Sequence, residues 1–357
     1  MYSIDESKKL SAYKPLSLVP VKNIVDVYKV KKGDNVLIWC DTGFPGRKGS
    51  ARMGKTFFMY LKRMGCKVSI VVGKAIKKPH FANETINSAV NSLGEGDLFI
   101  SLGSSQAIYF HKNKKRLVTR DMIVKQGFKM VATNGLMSLS GKNIPKFFKS
   151  FSHDRKKVKI LGDKLKKKFE KAKDVYITCP AGTDLRFKLA KRDVINNYGN
   201  PMRDTNYPVG EVYTSPLEKT ANGVMFITSS KVLGETILNK KLEKYVIENG
   251  VVISTSLKKL NNAFNTLEKF NEKNGVKNAY SKVRNIAEFA IGTNNKAHFS
   301  GVMICDEKVL GTCHIGIGAS YHFGGKVLCN GHSDHVINKP TIYFDKTMVM
   351  DKGQLLV

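Results

Sequence analysis

The chain has 357 residues, 42% of them hydrophobic and 25% charged, which excludes a disordered polymer and is too long for one ordinary hydrophobic core. Its formal net charge of +31 is concentrated early: residues 1–200 carry 41 Lys and Arg against 15 Asp and Glu, and residues 201–357 carry 19 against 14. Of the 60 basic residues only 10 are Arg, the side chain suited to bidentate phosphate and guanine contacts, so nucleic-acid binding is not expected. A polyanion-binding surface stays open as the non-enzymatic alternative.

The N-terminal stretch MYSIDESKKLSAYK has no apolar core of the kind a signal peptide needs, and no run of about eighteen apolar residues occurs. A cytoplasmic protein with no membrane span is expected. Cys40, Cys66, Cys179, Cys305, Cys313 and Cys329 form no CxxC pair and several lie in apolar runs, so they read as reduced interior residues.

Strands and helices alternate through the first half. NVLIWC (35–40) reads as a buried strand, GKTFFMYLKRMG as a helix ending at Gly65, and CKVSIVVG (66–73) as the next strand. HFANETINSAVNSL reads as a helix, DLFISLG (97–103) as a strand, TRDMIVKQG as a helix and KMVATNG (129–135) as a strand. Such alternation implies a mainly parallel sheet with right-handed crossovers. A Lys-rich helix over 155–173 ends this half. Beyond it Gly, Thr, Asn and short β-rich runs take over, which predicts an N-terminal α/β domain over 1–174 and an α+β domain with mixed and antiparallel strands over 175–357.

Gly49 to Thr56 spells GSARMGKT, the phosphate-loop pattern. Eight residues separate Cys40 from Gly49, and no apolar strand ends in the Asp that would organise Mg²⁺, so a helix that merely contains the pattern is the simpler expectation.

The densest chemistry lies near the C-terminus, where Glu288, Glu307, His314, His332 and Asp334 mix hard oxygens with imidazoles. That mixture suits Zn²⁺, Mn²⁺, Co²⁺ or Fe²⁺. His332 and Asp334, two apart, would share one face of an extended strand. A lone His in an apolar run such as that around His314 is otherwise a core residue bonded to backbone.

The segments PAGTDLRF (180–187), NYPVGEVYTSP (206–216), NIAEFAIGTN (285–294), DEKVLGTCHIGIGASY (306–321) and GHSDHV (331–336) follow one another in an order that resembles the thermophilic metalloprotease family, the aminopeptidases of the T and S type. The resemblance implies two Zn, Co or Mn ions held by Glu211, Glu288, His314, His332 and Asp334, with a two-metal-activated water attacking a peptide substrate. It further implies Glu307 as a proton carrier, Tyr321 as an oxyanion donor and a homodimer. A dioxygenase opening dihydroxypyridine rings is similar to this family and keeps the HxD pair, with His where this chain has Glu288. That relative implies the alternative, mononuclear Fe(II).

Overall fold

The computed structural model describes residues 4–77, 80–105, 107–108, 126–189, 191–201 and 206–357. The helix expected at TRDMIVKQG falls almost wholly outside them. Two compact units divide the chain: the first comprises Met1–Arg155, Gly199–Val209 and Lys296–Cys305, the second Lys156–Tyr198, Gly210–Asn295 and Asp306–Val357. Two short excursions therefore return the chain to the first unit after its main segment has ended.

In the first unit α1 (Val19–Tyr28), β1 (Asn35–Asp41), α2 (Gly49–Arg63), β2 (Lys67–Gly73), α3 (Glu84–Asn91), β3 (Leu98–Leu102) and β4 (Lys129–Thr133) follow in order. The four strands form one sheet ordered β2-β1-β3-β4, parallel throughout. Strand β3 is buried along its whole length and β1 at all but its first residue, which is why they read as continuous apolar runs. Helix α3 starts at Glu84, later than the sequence run suggested, because the Asn83 side chain accepts the Ile86 amide at 3.0 Å and caps the first turn.

The GSARMGKT segment is the first half of α2. Gly54 is there for closeness: a Cβ on it would lie 2.5 Å from Cys40 Sγ, so β1 and α2 pack at a distance only glycine allows. Lys55 Nζ donates to the Ser11 carbonyl at 2.7 Å. The segment is a packed helix and not a phosphate loop.

The second unit opens with the Lys-rich helix α4 (Arg155–Lys171, of which Arg155 belongs to the first unit). It continues with β5 (Asp174–Thr178), β6 (Asp184–Lys188), β7 (Ile195–Asn197), β8 (Glu211–Thr214), β9 (Asn222–Val232), β10 (Glu235–Glu248) and β11 (Val251–Thr255). After α5 (Lys258–Lys273) and α6 (Ala279–Val283) come β12 (Ile286–Gly292), β13 (Thr312–Gly318), β14 (His332–Asn338), β15 (Thr341–Phe344), β16 (Thr347–Asp351) and β17 (Gln354–Leu355). These thirteen strands make one sheet, ordered β17-β16-β15-β5-β6-β9-β14-β13-β12-β8-β7, with β10 and β11 extending from β9. Its pairings are antiparallel. The expected architecture, a parallel α/β unit and a β-rich antiparallel one, is what the chain forms. The long β9–β10 hairpin turns at Leu233 and Gly234, both at positive φ, the geometry that matches the twist of antiparallel strands.

Every residue of β12 and β13 is buried. Alternation sends Phe289, Ile291, Cys313, Ile315 and Ile317 into the main core, where Phe289 packs against Phe169, Phe187 and Phe344. Each such large apolar side chain contributes about 1.5–3 kcal/mol on burial. The alternate residues of the same strands carry the chemistry. All six cysteines are free and five of them are buried. Among the described residues no helix is long and apolar enough to cross a membrane.

Candidate metal centre

Strand register assembles the site. Glu288 on β12 pairs with Gly316 on β13, and Gly316 pairs with Asp334 on β14. One step along, Ala290 pairs with His314, and Gly318 with His332. On the outer side Gly292 pairs with Glu211 of β8. Because side chains alternate with period two, these residues share one face of the sheet. His332 and Asp334 thus stand side by side on β14, as the HxD spacing predicts. Four small residues, Ala290, Gly292, Gly316 and Gly318, leave that face the room that five larger ones fill.

His332 Nε2 lies 3.0 Å from Asp334 Oδ1 and 3.2 Å from Glu288 Oε2. His314 Nε2 lies 3.5 Å from Glu288 Oε1 and 3.6 Å from Glu211 Oε2. Glu288 therefore offers one oxygen to each imidazole. Glu307 joins from the turn before β13, its carboxylate within 4.8 Å of ligand atoms on His314 and Asp334. Three overlapping sets of metal-competent atoms result: Glu211 with Glu288 and His314, Glu288 with His332 and Asp334, and Glu307 with His314 and Asp334.

Both imidazoles are oriented through Nδ1. His332 Nδ1 donates to the Ala319 carbonyl at 2.9 Å and His314 Nδ1 to the Glu307 carbonyl at 3.2 Å. Each ring then turns Nε2 toward the carboxylates, the arrangement by which metal-binding histidines are held. His314 Nε2 and Glu211 Oε2 are buried without a hydrogen-bond partner. Cis ligands at about 2.1 Å from a metal stand about 3.0 Å apart, which is the spacing at His332. The donor set fits a borderline divalent ion.

Electrostatics follow from crowding these charges out of water. Burial opposes ionisation of Asp334, yet the His332 ring beside it holds its carboxyl well below the usual range. Burial would lower His332, but Asp334 and Glu288 outweigh it and keep that ring well above its ordinary value. His314 is raised to about 9, burial being overcome by Glu288, Glu211 and Glu307. Glu307 goes the other way: burial pushes it up to about 7, countered in part by Lys308.

Lys308 is the residue that pattern reading missed. Its ammonium is buried between Glu211 Oε1 at 2.5 Å and Glu307 Oε1 at 2.6 Å. Gly292 makes this possible, since a Cβ there would meet Val309 O at 2.2 Å and Lys308 C at 2.8 Å. Asn197 Nδ2 also donates to Glu211 Oε1 at 3.1 Å. The available signal was a Lys directly after Glu307 in an otherwise apolar segment.

Tyr321 does not join the cluster. It is 45% exposed on the 3-10 turn Tyr321–Phe323, its ring against His322, with no hydrogen bond or ion pair to the six ligand-type residues. His335, one residue beyond Asp334, faces the opposite side of β14, where its ring nitrogens meet Tyr245 Oη at 3.2 Å and Ser333 Oγ at 3.0 Å. It therefore does not reach Asp334 from the ligand face.

Carboxylates and imidazoles converging on one buried sheet face make a candidate metal centre in a chain that joins a parallel α/β unit to a large antiparallel sheet. The profile of the family described as NicX, 2,5-dihydroxypyridine 5,6-dioxygenase, matches residues 22–357, and the chain belongs to that family. A solved structure of 2,5-dihydroxypyridine dioxygenase from Pseudomonas putida KT2440 superposes with a TM-score of 0.65 at 15% identity, covering 96% of this chain and 99% of that one. At that identity the likeness speaks for the fold. No curated protein sequence matches the chain.

The family match overturns the resemblance to T- and S-type aminopeptidases and, with it, the hydrolase, protease and peptide-cleavage expectations. The two-ion Zn, Co or Mn centre, which came with that resemblance, is left without support. The motifs misled because the ordered GEVYTSP, AEFAIG, HIGIG and HSD segments specify a ligand-bearing sheet face, and the chemistry performed on that face is a separate matter.

Proposed function

We propose that this chain is a dioxygenase that opens the ring of a hydroxylated pyridine at a single Fe(II) held by Glu288, His332 and Asp334. The observation that carries this reading is the close trio of Glu288 Oε2, His332 Nε2 and Asp334 Oδ1, with His332 at the shared corner. Membership of the dihydroxypyridine dioxygenase family supports the reaction class. Iron(II), when bound, supplies the oxygen chemistry that carboxylate and imidazole side chains lack.

The chain's own groups set the conditions. His332 is the most open of the cluster, its side chain 23% exposed where Glu288 and Glu211 are 7% and His314 is 0%, so an aromatic substrate arrives from the His332 side. Glu307 has one oxygen committed to Lys308, and its other oxygen is free to hold a proton near neutral pH. It is the group suited to take the proton of a substrate hydroxyl. Glu211 and His314, on the far side, are the buried wall of the cluster.

Loading the purified protein anaerobically with Fe(II) and supplying 2,5-dihydroxypyridine in buffered oxygen tests the reading. One O₂ consumed per substrate lost, with one iron per chain, is expected. A folded, iron-loaded protein that takes up no oxygen with this or related hydroxypyridines ends it.

A further inference from the structure

We propose that Lys308 is a built-in cation that takes the place of a second metal ion and limits the centre to one. This rests on the metal-centre reading above. His314 Nε2 lies 3.6 Å from Glu211 Oε2 and 3.5 Å from Glu288 Oε1, and these three residues, with ligand atoms within 4.8 Å of one another, would by themselves accept a further divalent ion. What such an ion would meet is the Lys308 ammonium, which lies 2.5 Å from the other oxygen of the same Glu211 carboxylate. Two cations sharing one buried carboxylate repel each other with little solvent to screen them.

Charge counting points the same way. The face gathers four carboxyl groups, Glu211, Glu288, Glu307 and Asp334, around two imidazoles. Buried carboxylates require compensation, by cations or by protons. Lys308 provides one fixed positive charge to Glu211 and Glu307, a single divalent ion at Glu288, His332 and Asp334 provides two more, and a proton suffices for the fourth carboxyl group, so no second divalent ion is needed. Asn197 also donates to Glu211 Oε1, which steadies the carboxylate that the ammonium joins to Glu307. The side chain is 4% exposed, and Gly292 lets its backbone press against β12. Nothing in this arrangement depends on which divalent metal is native.

The test is metal stoichiometry of the full chain, stripped with chelator and then equilibrated at pH 8 with excess Mn(II), Zn(II) or, without oxygen, Fe(II). After gel filtration the wild type and Lys308→Arg are expected to hold one ion per chain. Lys308→Met and Lys308→Gln are expected to hold two, with unchanged circular dichroism. Lys308→Arg separates charge from packing, because it keeps the cation while altering the shape. Should the Met variant fail to fold, the Gln variant, which retains a hydrogen-bond donor, decides. A wild type with two ions overturns the proposal, and so does a folded neutral variant that stays at one. Wild type at one ion and neutral variants at two, without oxygen uptake on any hydroxypyridine, uphold it while ending the dioxygenase reading.

Discussion

A Cβ placed on Gly316 would lie 2.8 Å from His332 Nε2 and 2.7 Å from its Cε1, so the imidazole occupies the space that the missing side chain leaves. Gly316 also pairs with both Glu288 and Asp334, and the same Cβ would touch Glu288 Cβ at 2.8 Å. The centre of the ligand face is thus a hole at a single strand position. Gly316→Ala should displace the ring, weakening metal affinity by about 10–100-fold, and should cost about 1–3 kcal/mol through overpacking. Metal titration beside urea unfolding checks both, and unchanged affinity would show that His332 does not bind where the trio places it.

Removing the ring itself separates binding from folding. His332 is the cluster's most exposed member and the first residue of β14, so His332→Ala should retain its circular dichroism while losing bound iron. Asp334→Ala should behave likewise in metal content, because it removes the nearest partner of His332 Nε2. Elemental analysis of the two purified variants gives the answer. Retention of a full equivalent of iron in either would move the ion toward Glu211 and His314.

Phe289 tests the opposite face of β12. It is fully buried among Phe169, Phe187 and Phe344, one residue after Glu288 and pointing away from it. Phe289→Ala should destabilise the second unit by about 3–5 kcal/mol. The remaining folded protein should bind metal within a few-fold of wild type, since Glu288, Gly316 and Asp334 keep their register. Denaturant melts and metal titration read the two effects separately, and a large loss of metal affinity without loss of stability would refute the division of faces.

Much of this was legible before any coordinates. The buried runs NVLIWC, KVSIVV and LFISL announced a parallel sheet because both faces of such strands are covered. The HxD spacing placed His332 and Asp334 together because strand geometry leaves no other choice. Lys308 was hidden because a charged residue reads as surface until burial and partners are known, and nothing local signals that Glu211, ninety-seven positions earlier, folds against it. The reaction was misread for a related reason: ligand types and spacings define what ion a face can hold, and several chemistries share the same ions. The long β9–β10 hairpin was equally faint, since its turn is Leu233–Gly234 and lacks the usual Asn or Asp at the first position.

His153 links the first unit to pH. Its side chain is fully buried beside Tyr207, and burial pushes its ring down to about 4 from an ordinary 6.5. A histidine lowered in the folded state stays neutral there while the unfolded chain takes up a proton. Its stabilising contribution is therefore complete above pH 6.5 and falls away as pH drops from 6.5 toward 4. At pH 5 the loss should amount to about 2 kcal/mol, given about 1.4 kcal/mol for each pH unit below the unfolded value. Trp39, the chain's single tryptophan, lies in the same unit and reports its unfolding by fluorescence. Urea midpoints at pH 7.5 and pH 5 should diverge in the wild type and draw together in His153→Leu, which has no proton to gain. Equal pH dependence in the two proteins would place the titrating group elsewhere.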